Sequence, residues 1–99
     1  MSALALKTQF PHGIALDDAR SVVEDALRRE TELARARRAH FERTCKLFEQ
    51  QLGMTSDEFL HQFEEGALGD DAVYFDWYAA KRGLDVWNHK LLILSGVTV

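Results

Sequence analysis

Between Asp17 and Leu52 the chain contains neither glycine nor proline. The interval includes EDALRRETELARARRAHFERTCKLFEQQL, which is rich in Ala, Leu, Arg and Glu, all strong helix formers. Glu24/Arg28, Asp25/Arg29 and Glu42/Lys46 add acid-first pairs four residues apart, the order that supports a helix best. Asp17 is the expected N-cap, with Asp18 in the positive first turn. Gly53 is the first residue able to close the helix in the left-handed conformation. Such a helix is about 54 Å long at 1.5 Å per residue. A compact chain of 99 residues is only about 32 Å across. The helix must therefore project, kink or lie against a second chain. Leu27, Ala34, Phe41 and Phe48 recur every seven residues, with Cys45 and Leu52 beside them, and this seam favours packing in a dimer.

Two further helices follow. In MTSDEF, Thr55 and Glu58 form a capping box, with Met54 and Phe59 as its hydrophobic staple. This helix is expected to run to about Glu65 and stop at Gly66. Val73, Trp77, Ala80, Leu84, Trp87, Leu91 and Leu94 then alternate at spacings of four and three, the strongest periodic signal in the chain. Gly83 interrupts this third helix at a cost of up to about 1 kcal/mol but leaves the stripe in phase, so one helix is expected, with a possible bend. GALGDD, between the two, reads as a corner: Gly66 ends one helix, Ala67 and Leu68 turn, and Asp70 caps the next with Asp71 behind it. Residues 1–16 form an N-terminal arm, either a short strand suggested by Leu4, Leu6 and Phe10 or an irregular segment broken at PHG. Residues 17–96 form a single helical domain and 97–99 a tail. The expected fold is all-α: a long N-terminal helix, a short helix and a C-terminal heptad-patterned helix, packed as a dimeric helical bundle.

Composition narrows the functional classes. A chain 46% hydrophobic and 28% charged is globular. A single cysteine excludes an internal disulfide and suits a reducing cytoplasm. No apolar run approaches the roughly 20 residues of a membrane span, and MSALALK lacks the basic start of a signal peptide. The net charge of −4 conceals a division: residues 28–46 carry seven basic and three acidic side chains, whereas 47–80 carry eight acidic and no basic ones.

Candidate chemistry is sparse. EFLH places Glu58 and His61 at the spacing used in di-iron bundles, but those need two such motifs and two further glutamates; an amphipathic surface helix is the favoured account. Asp85 and His89 share a helix face and fit a solvated pair. His40 and Cys45, five apart, point well away from each other, and Cys45 reads as a small buried apolar residue. No phosphate-binding glycine loop, zinc spacing or nucleophile elbow occurs. No enzymatic activity, cofactor or metal is expected. The basic block could meet phosphates, but Glu30, Glu32 and Glu42 interrupt it, and nucleic-acid binding is not favoured. The aromatic cluster is more informative. Trp77 belongs to the heptad stripe, whereas Phe75 and Tyr78 project to the opposite face, towards Arg82, His89 and Ile93. That face is either buried in a homodimer or open to another protein.

The stretch FEQQLGMTSDEFLHQFEEGALGDDAVYFDWYAAKRG resembles a family of small bacterial and archaeal helical proteins often encoded beside TumE-type toxins. The shared elements are Gly53 to Phe59, Phe63 to Gly66, Leu68 to Asp71 and Phe75 to Ala79, and the whole stretch covers about a third of the chain. They are caps, glycines and core aromatics, and the family supplies no catalytic set. The resemblance implies the antitoxin side of a toxin–antitoxin pair. On that implication the acidic stretch could occupy the basic RNA-binding surface of a nuclease toxin. The partner-binding residues are then Asp70, Asp71, Phe75, Asp76 and Tyr78. The expectation is a cytoplasmic, homodimeric protein–protein interaction module, antitoxin-like, with a structural homodimer or adaptor lacking a toxin partner as the alternative.

Overall fold

The computed structural model describes residues 10, 11 and 13–99 and is all-helical. Helix α1 spans Leu16–Leu52, α2 Ser56–Glu64 and α3 Ala72–Ser95, with no strand among the described residues. The order of one long, one short and one C-terminal helix is as the sequence predicts. The expected strand or arm falls largely on residues 1–9, outside the described residues.

A turn leads into α1, with Ile14 N–H donating to the Pro11 carbonyl at 3.3 Å and Gly13 at φ +93°. The helix begins at Leu16, with its N-cap two residues earlier than expected. Ala15 takes the N-cap position without a side-chain bond, and Asp17 joins Asp18 in the first turn, where both meet the positive end of the helix dipole. At the far end Gly53 adopts φ +70° and donates to the Glu49 carbonyl, as its predicted role requires.

The α2 start also follows its signature in part. Thr55 Oγ1 accepts from Glu58 N–H at 3.1 Å. A separate bond secures this end: the Glu49 carboxylate of α1 accepts from Ser56 N–H at 2.8 Å, fastening α2 to α1. At the α2 terminus Gly66 has φ +73°, Gly66 N–H donates to Phe63 O and Ala67 N–H to Gln62 O. This pair of bonds is a Schellman closure. The corner is thus where the sequence places it, but its exit differs. Asp71, not Asp70, is the N-cap residue of α3, and it makes no side-chain cap bond. Leu68 packs against the core and draws the loop inward, so the helix starts after Asp71.

The seam Ala34–Phe41–Phe48, which suggests a second chain, is filled by α3 of the same chain. Phe48 lies beside Trp77, Phe41 against Gly83, and Arg37 over Trp87. Position falls along α1 as it rises along α3, so the two helices are antiparallel. Trp77 is fully buried. It lies between Phe48 of α1 at 5.8 Å and Phe59 of α2 at 4.1 Å, stacked nearly parallel on Phe59. Its Nε1–H donates to Ser56 Oγ at 2.9 Å, so the polar edge of the indole is satisfied inside the core. Cys45 and Ala80 complete the buried cluster.

Gly83 does not break α3, which runs straight through it. A Cβ at this position would stand 2.7–2.8 Å from three atoms of the Phe41 ring. The glycine lets an aromatic ring rest directly on the backbone of the facing helix. The molecule that results is a rod of 62 × 22 × 21 Å, with α1 projecting past the end of α3.

Two outcomes follow in urea unfolding. Gly83→Ala gains helix propensity worth about 1 kcal/mol, but overpacking against Phe41 costs about 1–3 kcal/mol. A net loss is expected, and Phe41→Leu in the same chain should recover part of it. A stabilised single variant would show that the ring yields freely. Trp77→Ala should lose about 3–5 kcal/mol, and an unchanged midpoint would remove Trp77 from the centre of the core.

Candidate interaction surface

The five predicted partner-binding residues divide in the structure. Asp70, Asp71 and Asp76 are exposed, and Phe75 is 52% exposed. Tyr78 is half-buried and stacks on Phe63 of α2 at 4.8 Å. Projection of α3 alone places Tyr78 with Phe75 on a free face. The short helix α2, however, packs along that flank, and Tyr74 and Tyr78 both join the core it completes. Tyr78 is therefore corrected from a free-face residue to a packing residue between α2 and α3. Phe75 stands at the boundary, its ring edge-on to Phe63 at 5.5 Å and otherwise open.

Past the reach of α2, nothing among the described residues covers the outward face of α3. Phe75, Ala79, Arg82, Val86, His89 and Ile93 follow at spacings of four and three and are all exposed. Val86 and Ile93 are 46% and 55% exposed. This second stripe, opposite the one that meets α1, makes α3 apolar on two sides. Large apolar side chains repeated along one exposed face are a feature of protein contacts. Its amino-terminal end lies in the acidic portion of the chain.

The other candidates are quieter. His61 is exposed and its Nε2 lies 3.1 Å from Glu65 Oε1. Among the described residues no three His, Cys, Asp or Glu side chains are grouped to hold a metal ion. Of the basic block, Arg37 turns onto the Trp87 ring at 5.6 Å, Arg28 pairs with Asp25, and Lys46 pairs with Glu42 at 3.4 Å. No helix among the described residues is long and apolar enough to cross a membrane.

Where the three helices meet, an open cleft of about 220 Å³ contains the residues that composition and spacing did not single out: Ser56, Glu49 and Lys81. Lys81 Nζ contacts Asp57 and Asp85, each at 2.9 Å. Burial opposes its charge, but the bonds to Asp85 and Asp57 outweigh that and raise its pKa. Cys45 lies beneath, and burial pushes its thiol upward, against a smaller lowering by Ser56. The cleft's cation is already held by two carboxylates, and Glu49 is occupied by Ser56 N–H. It serves as a junction between helices. Its one sequence signal was Ser56, a small polar residue immediately after a cap and one turn from an aromatic run.

Protein-family models, curated proteins and solved structures give no match to this chain. Its surface chemistry therefore bears the functional argument.

The junction carries a pH dependence. Both Cys45 and Lys81 have folded pKa values raised above their ordinary ones. Each contribution is complete below the unfolded value and is lost as pH rises through the folded value. The urea midpoint should hold through neutral pH, then decline above about 8.5, where an ordinary thiol ionises, and further above about 10.4 for lysine. Cys45→Ala should delay the first decline. Identical profiles for the two proteins would mean the thiol contributes nothing.

Proposed function

We propose that this chain is a protein–protein interaction module, an antitoxin-like partner of a small nuclease-type toxin, acting as a homodimer in the cytoplasm. The observation that carries the reading is Phe75: a large aromatic ring, 52% exposed, heading an uncovered apolar stripe beside exposed Asp71 and Asp76. Aromatic anchors dominate interface energetics, and surrounding carboxylates steer a basic partner towards them. A toxin that binds RNA presents such a basic surface. The resemblance of the segment from Phe48 to Gly83 to proteins encoded beside TumE-type toxins supports the same assignment.

The alternative is a structural homodimer or adaptor without a toxin partner. It is favoured by the length of α1, which α3 covers only in part. The two readings separate in a binding experiment with the purified protein encoded beside this gene. Phe75→Ala should leave helical content intact and weaken binding by at least about tenfold, the scale of a lost interface anchor. Asp71→Asn with Asp76→Asn should chiefly slow association and flatten its salt dependence. A neighbouring protein that does not bind, or binds both variants as it binds the parent, leaves the structural reading in place.

A further inference from the structure

Helix α1 has 37 residues and α3 has 24. Their antiparallel register, Phe48 by Trp77 and Phe41 by Gly83, sets the last turn of α3 beside Arg29 and Glu30. The segment from Leu16 to Arg29 therefore extends beyond α3 by about 20 Å at 1.5 Å per residue. This projection is not a polar spike. Val23 and Leu27 continue, in helical phase, the line of Ala34, Phe41 and Cys45 that α3 covers. Ile14, Leu16 and Val22 are 51%, 64% and 66% exposed. Phe10, Ile14, Ala19, Val22 and Val23, with Asp18 among them, line an open and mostly apolar groove of about 270 Å³.

The charges beside this line are ordered. At 100° per residue Asp17, Arg20, Glu24 and Arg28 share one flank of it, acid, base, acid, base. An antiparallel second copy reverses that order. With the two-fold axis between Val22 and Val23, Asp17 faces Arg28 of the second copy, and Arg20 lies one residue from the level of its Glu24, within reach of these long side chains. Symmetry repeats both pairs. On the other flank Ala19 faces Ala26, and Val22 lies one residue off the level of its own counterpart. In a parallel copy the charged flank would instead lie against the flank of Ala19, Val22 and Ala26, and its charges would find no partners there. The lengths agree as well. In the antiparallel arrangement Leu16 reaches the level of the second copy's Arg29, where the second copy's α3 ends. Each projection fills the space the other leaves and neither meets an α3. Arg28 must exchange its contact with Asp25, but both side chains are more than half exposed, and an exposed pair of this kind holds little energy.

From these agreements we infer that the start of α1, which α3 does not reach, is closed by the same segment of a second copy, antiparallel, about an axis between Val22 and Val23. This rests on the homodimeric part of the reading above and is independent of any toxin. It leaves the outer stripe of α3 free for a different protein. An overlap of about 20 Å is short for a specific interface, so the dimer should exchange with monomer at micromolar concentration.

The test uses the full chain in a Cys45→Ser background. Val23→Cys, placed near the axis, should give a disulfide-linked dimer on mild oxidation, since two cysteines facing each other there fall within bonding range. Val86→Cys, on the outer stripe of α3, should not. In light scattering Val23→Glu should raise the dissociation constant at least about tenfold while circular dichroism stays unchanged, because the residue lies outside the core. Asp17→Arg alone should weaken the dimer, and Asp17→Arg with Arg28→Asp should restore it. A protein that remains monomeric throughout overturns this arrangement together with the homodimeric reading. A dimer that cross-links through Val86→Cys and not through Val23→Cys keeps the homodimer and overturns this arrangement.

Discussion

The packing of Trp77 between Phe48 and Phe59 is the contact on which the fold depends, because it is where three helices become one body. Each ring comes from a different helix. The indole N–H, donated to Ser56, fixes the rotation of α3 about its own axis, and Ser56 in turn holds Glu49 through its backbone. A stack without that bond could slide. With it, the apolar faces of the three helices have one mutual orientation, and a buried polar group is satisfied where it would otherwise cost several times an ordinary hydrogen bond.

From this centre the α1–α3 contact extends along the rod by direct approach. Gly83 brings the backbone of α3 onto the Phe41 ring, and a turn further on Trp87 meets Arg37 from α1 while Lys90 of its own helix lies 4.4 Å from the ring. The pairing thus changes along its length from a dry aromatic stack to a cation–aromatic contact at half-exposed positions. Beyond the end of α3, α1 continues without a partner helix.

Much of this was legible in the sequence because it is local. The interval without glycine or proline defined α1, Thr55 and Gly66 marked the limits of α2, and the four–three spacing from Val73 to Leu94 defined the buried face of α3. What was not legible is what depends on a neighbour. Gly83 reads as a weak point until Phe41 is placed beside it. Tyr78 reads as free until α2 is folded over it. The heptad of α1 announces a partner helix without saying whose, and α3 of the same chain supplies most of it. Asp70 and Asp17 are good capping residues by type, yet the caps fall at Asp71 and Ala15, because the loops entering those helices are drawn by Leu68 in one case and by the turn at Gly13 in the other. The candidate surface followed the same rule: Phe75 and its aspartates are exposed as their pattern suggests, and the flank that was lost is the one covered from elsewhere in the chain.

The projecting start of α1 also sets how the molecule behaves as a particle. Its radius of gyration is 19.5 Å. A compact chain reaches that value only at roughly 300 residues, about three times this length. A single copy tumbles like a short cylinder, quickly about its long axis and slowly end over end. It emerges from a sizing column at the position of a much heavier sphere, so elution volume alone assigns this monomer the size of an oligomer, and only a measurement of mass distinguishes the two.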